Sequence, residues 1–327
     1  MKPNRLTLMT EIDPLLEGLN PQQSEAVTHS GGPLLVVAGA GSGKTRVLTR
    51  RIAYLMSRRN VAPYQILAIT FTNKAAGEMK ERVADLVGPI AKSMWVSTFH
   101  SACVRILRQE ATRLGYSNSF SIYDSADSQR LITIVAKELN LDAKRYPARQ
   151  FQSMISNAKN ELLGPQDYLN AASNPFEQIV ADVYAVYQQR LIRANAMDFD
   201  DLILKTVEVL QRYPEAKARF RSRFRHVLVD EYQDTNHAQY ILVKELVGTE
   251  LEGQAPAELC VVGDADQSIY GFRGATIRNI LQFELDYPNA RTVLLEQNYR
   301  STQNILNAAN AVITKNESRK EKNLWSD

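Results

Sequence analysis

A glycine-rich segment at residues 38–45 (AGAGSGKT) constrains the fold more than any other part of the chain. It follows an apolar run at residues 34–38 (LLVVA) and precedes a helical pattern that continues to Met56. Small residues in such a turn let backbone N–H groups surround phosphate oxygens, and the helix N-terminus adds partial positive charge. The order of strand, turn and helix therefore predicts a phosphate-binding loop rather than an ordinary glycine-rich turn.

The residues of this loop have predicted roles in binding a nucleotide. Lys44 is expected to reach the β- and γ-phosphates, and the hydroxyl of Thr45 is expected to bind Mg²⁺. Ala38 stands where the strict pattern has glycine. The predicted nucleotide contacts in this segment are Ala38, Gly39, Ala40, Gly41, Ser42, Gly43, Lys44, Thr45 and Arg46.

Short apolar runs alternate with helical patterns over much of the chain. The runs lie at residues 34–38, 66–70, 94–98, 226–229, 259–262 and 293–295, and helical patterns lie at residues 73–87 and 100–114. Strands without polar alternation are typical of a parallel sheet that helices cover on both faces. The sequence therefore predicts an α/β fold.

Residues 121–196 have a different character, with mainly helical periodicity and few strand-like runs. Helices are predicted at residues 124–141, 148–163 and 174–195. Basic and acidic residues are nearly balanced there, so no charged face is indicated. We interpret this region as a helical subdomain inserted into the α/β domain.

Composition limits the class of protein and its compartment. A chain of 327 residues favours two or more domains, and a net charge of +3 neither requires nor excludes a nucleic-acid partner. The two cysteines, Cys103 and Cys260, indicate neither a disulfide framework nor a cysteine-based zinc site. No signal peptide or membrane-spanning run is visible, so we expect a cytoplasmic protein without a membrane partner.

An acidic pair, Asp230 and Glu231, follows the apolar run at residues 226–229 (HVLV). Together with an upstream phosphate loop, it predicts that Asp230 holds Mg²⁺ through water and that Glu231 orients and deprotonates an attacking water. The alternative is an exposed strand end followed by a turn. After the next run, residues 263–268 (GDADQS) place Gln267 where it can sense the γ-phosphate.

Taken together, these segments resemble superfamily 1 DNA helicases of the UvrD/Rep/PcrA group over nearly the whole chain. The matching segments, in the family's order, are residues 19–23 (LNPQQ), 38–45 (AGAGSGKT), 68–76 (AITFTNKAA), 97–100 (STFH), 198–202 (DFDDL), 230–234 (DEYQD), 263–275 (GDADQSIYGFRGA) and 295–301 (LEQNYRS). The resemblance implies a RecA-like sheet around the phosphate loop.

The resemblance also implies roles at the nucleotide. Gln23 would contact adenine, Tyr299 would stack on it, and Arg300 would contact the γ-phosphate as an arginine finger. The implied catalytic residues are Lys44, Glu231, Gln267 and Arg300, and the implied metal ligands are Thr45 and Asp230.

A path for single-stranded DNA is implied as well. The implied DNA contacts are Phe71, Thr72, Asn73, His100, Phe199, Tyr270, Phe272 and Arg273. Aromatic faces accept any base, and arginine adds cation–π attraction. Phe272 stands where family members often carry Trp, which stacks more strongly. Alternatively, Phe71, Phe99 and Phe199 are core aromatics, and His100 merely begins a helix.

Two groups of basic residues are interpreted as solvated surface rather than as DNA-binding patches. The first runs from Lys217 to Arg225, and the second comprises Arg50, Arg51, Arg58 and Arg59.

The domain organisation follows from the same resemblance. We predict a RecA-like ATP-binding domain (1A) at residues 1–120 and 198–299, an inserted helical subdomain (1B) at residues 121–197, and the start of a second lobe (2A) at residues 300–327. Segments resembling motifs V and VI of the family are not found in the sequence. We therefore expect an N-terminal lobe with little or no ATP hydrolysis by itself, and its boundary at Asp327 is either natural or the result of truncation.

The family resemblance implies an ATP-dependent helicase and translocase that moves 3′ to 5′ on single-stranded DNA during repair or replication. Its expected partners are ATP, Mg²⁺, single-stranded DNA, duplex junctions and repair proteins. One alternative is an ATP-responsive DNA-binding module without turnover. A P-loop kinase or GTPase is a weaker alternative, because it gives no account of the TFTNKAA, DEYQD and NYRS segments in this order.

Overall fold

The computed structural model describes residues 13–249, 255–268, 278–315 and 322–327. Within these ranges, six parallel strands form a central sheet and two short parallel strands form a separate pair. The strands are β1 (Leu34–Ala38), β2 (Ile66–Thr70), β3 (Trp95–Thr98), β4 (Ser121–Tyr123), β5 (Ala196–Asp198), β6 (His226–Val229), β7 (Glu258–Gly263) and β8 (Arg291–Leu295). The order in the central sheet is β3-β2-β6-β7-β1-β8.

Helices connect and cover the strands. They are α1 (Pro21–Thr28), α2 (Lys44–Ser57), α3 (Asn73–Val87), α4 (Phe99–Glu110), α5 (Ser125–Glu138), α6 (Ala148–Asn160), α7 (Pro165–Ala171), α8 (Pro175–Arg193), α9 (Phe199–Arg212), α10 (Pro214–Arg223), α11 (His237–Val247), α12 (Arg278–Leu281), α13 (Phe283–Asp286) and α14 (Gln303–Ile313). Among the described residues, no helix has the length and apolar content needed to cross a bilayer.

Both faces of the central sheet are buried, which explains why its strands lack polar alternation. Successive side chains of a strand point to opposite faces. In β1, Leu35 and Val37 pack into a core with helices α4, α9 and α11, whereas Leu34 and Val36 pack into a second core with α2 and α3. The predicted α/β fold with helices on both faces is therefore confirmed.

The register of the sheet brings the carboxyl ends of its strands to one edge. Val37 of β1 is paired with Gly263 of β7, and Ile69 of β2 is paired with Val229 of β6. The residues that follow β1, β6 and β7 therefore emerge side by side. This edge is where ligands bind in open parallel sheets.

The inserted helical region has its own core, built from α5, α6 and α8. The chain enters it through β4 and leaves it through β5, which pair in parallel from Ser121 and Ala196. These two strands are absent from the sequence-based expectation of a mainly helical region. The domain boundaries proposed from the sequence, including those at residues 121 and 197, stay predictions.

The expectation that both basic groups are solvated is wrong for two arginines. Arg51 is 1% exposed and donates to the carbonyl oxygens of Ala26 and His29 at 3.0 and 2.8 Å. Arg221 is buried, and its Nε donates to the carbonyl oxygen of Glu245 at 2.7 Å. Carbonyl groups at helix ends compensate the loss of water around each guanidinium.

Candidate functional site

The phosphate loop connects β1 to α2 and depends on its glycines. Gly41 and Gly43 have φ angles of 71° and 88°, in the left-handed region where a side chain is disfavoured. A Cβ atom on Gly41 would lie 2.7 Å from Nδ2 of Asn298, and one on Gly43 would lie 2.8 Å from Nε2 of Gln23. Glycine is thus required here by backbone geometry and by close neighbours.

Gly39 is constrained by a different neighbour. A Cβ atom at this position would collide with the side chain of Leu324. The backbone around Leu324 is fixed to the segment after β8, because the N–H of Asn298 donates to the carbonyl of Trp325 at 2.7 Å. Residues 322–327 therefore cover one side of the phosphate loop.

Lys44 begins α2 and forms an ion pair across the sheet edge. Its Nζ lies 2.9 Å from Oε2 of Glu231, the residue that follows Asp230 after β6. Glu231 has a φ of 49°, an unfavourable conformation for a non-glycine residue. Such backbone strain costs about 1–3 kcal/mol and persists where surrounding contacts enforce it. Here it aims the carboxylate at the phosphate loop.

Asp230 is a buried carboxylate at the same edge. It is 6% exposed, and its Oδ1 accepts the backbone N–H of Glu231 at 3.0 Å. Burial and the adjacent Glu231 charge raise the pKa of Asp230 to about 6. Asp230 lines a cavity of about 820 Å³ together with Thr45, Glu231 and Gln267. The structure thus brings together the residues predicted to hold Mg²⁺, activate water and sense the γ-phosphate.

Gln233, for which the sequence predicts no role, links the acidic segment to the end of β7. Its Nε2 donates to Glu231 at 2.9 Å and to Asp234 at 3.2 Å, and its Oε1 accepts the N–H of Asp264 at 2.9 Å. Asp264 in turn accepts hydrogen bonds from Gln267 and Lys322. The position of Gln233 inside the DEYQD segment is the feature of the sequence that draws attention to this residue.

The predicted adenine contacts lie beside the phosphate loop. Gln23 is fully buried, and its Nε2 donates to the carbonyl of Ser42 at 2.9 Å. Tyr299 is 53% exposed, its N–H donates to the carbonyl of Gly41 at 3.0 Å, and its hydroxyl accepts from Asn20. An exposed ring next to the loop is available for stacking.

Arg300 and Arg46 are both exposed next to the loop. A Cβ atom on Gly41 would lie 2.9 Å from Cβ of Arg300. Asn298, which received no role from the sequence, fixes this contact. Its Nδ2 donates to the carbonyl of Ala40 at 2.5 Å, and its Oδ1 accepts the N–H of Arg300 at 2.7 Å.

The three aromatic residues for which a place in the core was the alternative lie in different environments. Phe99 is 2% exposed and belongs to the core, so the alternative given for it is correct. Phe199 is 50% exposed and contacts His100 edge to face, with ring centroids 5.8 Å apart. Phe71 is half-buried against Phe99. Phe199 therefore presents the most accessible ring.

Three predicted DNA contacts line the cavity of about 820 Å³ that also contains Asp230 and Glu231. Phe71, Thr72 and His100 line it, and Asn73 is exposed at the start of α3. Burial lowers the pKa of His100, which favours the neutral imidazole. The predicted contacts Tyr270, Phe272 and Arg273 lie outside the described residues.

Comparisons with known proteins show which family the chain is similar to over most of its length. The sequence model of the UvrD/REP helicase N-terminal domain matches residues 19–288. "ATP-dependent DNA helicase UvrD1" of Mycobacterium tuberculosis is 64% identical over 320 residues, which cover 96% of this chain and 42% of that protein. "ATP-dependent DNA helicase PcrA" of Bacillus subtilis is 56% identical over 313 residues, again covering 96% and 42%. The chain thus spans well under half the length of these curated relatives.

Proposed function

Because the chain belongs to the UvrD/REP helicase N-terminal domain family, we propose that it forms the ATP-binding lobe of an ATP-dependent DNA helicase. The relatives named above are ATP-dependent DNA helicases. The observation that carries the proposal is the convergence of Lys44, Asp230 and Glu231 at one edge of the sheet. A strained Glu231 directed at a phosphate loop is typical of a site that transfers or hydrolyses a phosphoryl group.

Nucleotide binding would use groups that already surround the loop. The backbone N–H groups of residues 39–45 and the ammonium of Lys44 would bind the phosphates. The exposed ring of Tyr299 would stack on adenine. Gln23 would first have to exchange its hydrogen bond to Ser42 for one to the base, or contact adenine with its remaining amide atoms.

The hydroxyl of Thr45 and the carboxylate of Asp230 fit Mg²⁺, which prefers oxygen ligands. Within the described ranges, no group of three or more His, Cys, Asp or Glu side chains is arranged to hold a metal ion. The remaining ligands would therefore be phosphate oxygens and water, as is usual for this ion. When bound, Mg²⁺ would neutralise phosphate charge.

Hydrolysis would require Glu231 to leave its ion pair with Lys44. The freed carboxylate would accept a proton from water while the water oxygen bonds to the γ-phosphorus and the bond to ADP breaks. Lys44, Gln267 and Arg300 would stabilise the charge that develops on the phosphate oxygens. The Lys44–Glu231 ion pair thus holds the base inactive until phosphates take its place.

DNA binding would use aromatic side chains that lie near the carboxylates of Asp230 and Glu231. Phe199, Phe71 and His100 would contact bases of a single strand, with Thr72 and Asn73 at the start of α3 reaching its backbone. We further propose that the whole protein moves 3′ to 5′ and acts at duplex junctions in repair or replication, with repair proteins as partners. Two lobes closing on ATP would convert hydrolysis into movement.

The alternative is a module that binds ATP and single-stranded DNA without turnover. The Lys44–Glu231 ion pair fits this alternative for the present chain, because the Glu231 carboxylate can accept a proton from water only after Lys44 has released it. Phosphate release by the 327-residue chain, with and without a dT oligonucleotide, separates the two. DNA-stimulated release that is lost in Glu231→Gln supports an enzyme, and binding of both ligands without release supports the module. Failure to bind Mg·ATP would overturn both.

A further inference from the structure

The end of helix α6 joins the inserted helical region to the loop that carries Glu231. Asn160 is the last residue of α6, and its Oδ1 accepts a hydrogen bond from Nδ2 of Asn236 at 2.8 Å. Asn236 lies five residues after Glu231 along the chain. This contact therefore spans two parts of the fold that are distant in sequence.

The side chain of Asn236 has a fixed orientation. Asn236 is 7% exposed and caps α11, because its Oδ1 accepts the backbone N–H of Gln239 at 2.9 Å. With the oxygen held by the cap, the amide nitrogen must point away from α11, where it meets Asn160. The hydrogen bond is thus directed by the start of α11 and is not an incidental surface contact.

The segment between Glu231 and Asn236 is held together by short-range contacts. The N–H of Asp234 donates to the carbonyl of Glu231 at 2.9 Å, and the N–H of Thr235 donates to Tyr232 at 3.2 Å. Asn279 also donates to the carbonyl of Thr235 at 2.9 Å. A displacement of Asn236 would therefore be transmitted to the backbone that orients Glu231.

The other side of the same helical turn is attached to the segment that carries Phe199. Lys159 is fully buried, and its Nζ lies 2.7 Å from Asp198 and 2.9 Å from Asp201. Both carboxylates belong to the short segment around Phe199. Neither α6 nor this segment can shift alone without separating buried charges, which is strongly unfavourable.

One face of α6 also lines the cavity that contains the carboxylates. Ser153, Ser156, Asn157 and Asn160 face the same space of about 820 Å³ as His100 and Glu231. A DNA base or sugar held between His100 and this face of α6 would contact the helix directly. The last turn of α6 therefore borders the same cavity as Glu231, on the nucleotide side, and His100, a predicted DNA contact.

We propose that Asn160 is a positioning residue that acts through its hydrogen bond to Asn236. Through this hydrogen bond, DNA bound beside α6 would change the geometry of the segment that carries Glu231. The inference rests on the proposed function, since it assumes that the chain binds both ATP and single-stranded DNA. Coupling between two sites is reciprocal, so DNA would change nucleotide affinity by the same factor as nucleotide changes DNA affinity.

The test measures that coupling factor in the full 327-residue chain. The affinity for a fluorescent, non-hydrolysable ATP analogue with Mg²⁺ is determined by titration with and without a saturating dT oligonucleotide. We expect a change of about 5-fold or more in the unsubstituted chain. In Asn160→Leu, which removes the acceptor at similar volume, the coupling factor is expected to fall below about 2-fold, whatever the change in affinity for each ligand alone.

Two further variants separate positioning from stability. Asn160→Asp keeps the acceptor oxygen, so the coupling factor is expected to be retained. Gln166→Leu removes an exposed amide pair with Asn170 in the same region, at 3.0 Å, and is expected to leave coupling unchanged. A purely structural role would lower the melting temperature of Asn160→Leu and leave its coupling factor equal to that of Asn160→Asp, which would overturn the proposal.

The unsubstituted chain distinguishes failure of this inference from failure of the proposed function. If both ligands bind but neither affects the other, the role of Asn160 is disproved and the proposed function stands. If neither ligand binds, both are disproved.

Discussion

The ammonium of Lys44 lies 2.9 Å from the carboxylate of Glu231, so the phosphate loop and the end of β6 are joined by an ion pair. Both residues are expected to act on the terminal phosphate of ATP, and here they neutralise each other. The ammonium can serve a phosphate only when it releases the carboxylate, which then becomes available as a base. Nucleotide binding and activation of the base are thus expected to be one event.

Replacing Glu231 by Gln should separate binding from hydrolysis. The amide keeps the size of the side chain but competes less for Lys44 and cannot accept a proton. In a form of the protein that hydrolyses ATP, the turnover rate should fall about 10²- to 10⁴-fold, while affinity for Mg·ATP is retained or increased. Rapid-quench hydrolysis and nucleotide titration check this, with Glu78→Gln on the exposed face of α3 as the control. Undiminished turnover would remove Glu231 from its proposed role.

Replacing Lys44 by Ala should weaken nucleotide binding. Hydrogen bonds to charged groups contribute about 1.5–3 kcal/mol, so affinity for Mg·ATP should fall roughly 10- to 150-fold. The control is Lys74→Ala, whose side chain is 87% exposed on α3. Equal affinities of the two variants in a calorimetric titration would show that the loop does not bind phosphates.

Two glycine substitutions should have opposite effects on stability. Ala at Gly41 would occupy the left-handed region and approach Asn298, so it should destabilise the fold by about 1–2 kcal/mol and reduce nucleotide binding. Gly77 lies inside α3 with open space around its missing Cβ atom, so Gly77→Ala should stabilise by about 0.5–1 kcal/mol. Urea unfolding of both variants measures the difference. A neutral Gly41→Ala would contradict the close packing of the loop.

The regular parts of the fold could be predicted, because burial of both faces of the central sheet requires continuous apolar runs that are visible in the sequence. The helix at residues 73–87 has the bounds of α3, and the run at residues 34–38 has those of β1. The pair β4 and β5 could not be predicted in this way. Each has only three residues, and their pairing depends on a contact between Ser121 and Ala196 that no local pattern reveals.

The candidate site likewise contains some residues whose roles the sequence predicts and others whose roles it does not. The phosphate loop and the acidic pair are contiguous segments, so their chemistry can be read from neighbouring residues. The DEYQD segment draws attention to Gln233, but its contact with Asp264 cannot be read from the sequence. The proposed role of Asn160 has no local signal, because it depends on Asn236 on a different element. The burial of Arg51 could not be predicted for a related reason. Carbonyl oxygens of α1 and of the turn after it accept hydrogen bonds from its guanidinium in place of water.

Lowering the pH should destabilise the fold through His226. Burial, with Arg59, Arg51 and Arg225 nearby, lowers the pKa of His226 to about 4, although Glu258 opposes the shift. Between pH 6.5 and 4 the unfolded chain takes up a proton that the folded chain does not, so stability is lost as the pH falls. The contribution is about 3 kcal/mol at most. Urea unfolding at several pH values should show a shallower pH dependence for His226→Gln; an unchanged slope would contradict the burial of a neutral imidazole.

Removing the ring of Phe199 should weaken DNA binding without affecting nucleotide binding. Half of this side chain is exposed next to His100, and stacking of a base on an aromatic ring contributes about 1–3 kcal/mol. Affinity of Phe199→Ala for a dT oligonucleotide should therefore fall about 5- to 150-fold in a fluorescence anisotropy titration. The matched control is Tyr64→Ala, an aromatic residue with 56% exposure that precedes β2 at the opposite edge of the sheet. If both variants bind DNA equally well, the path of the strand does not pass over Phe199, because an exposed ring that stacks on a base cannot be removed without loss of affinity.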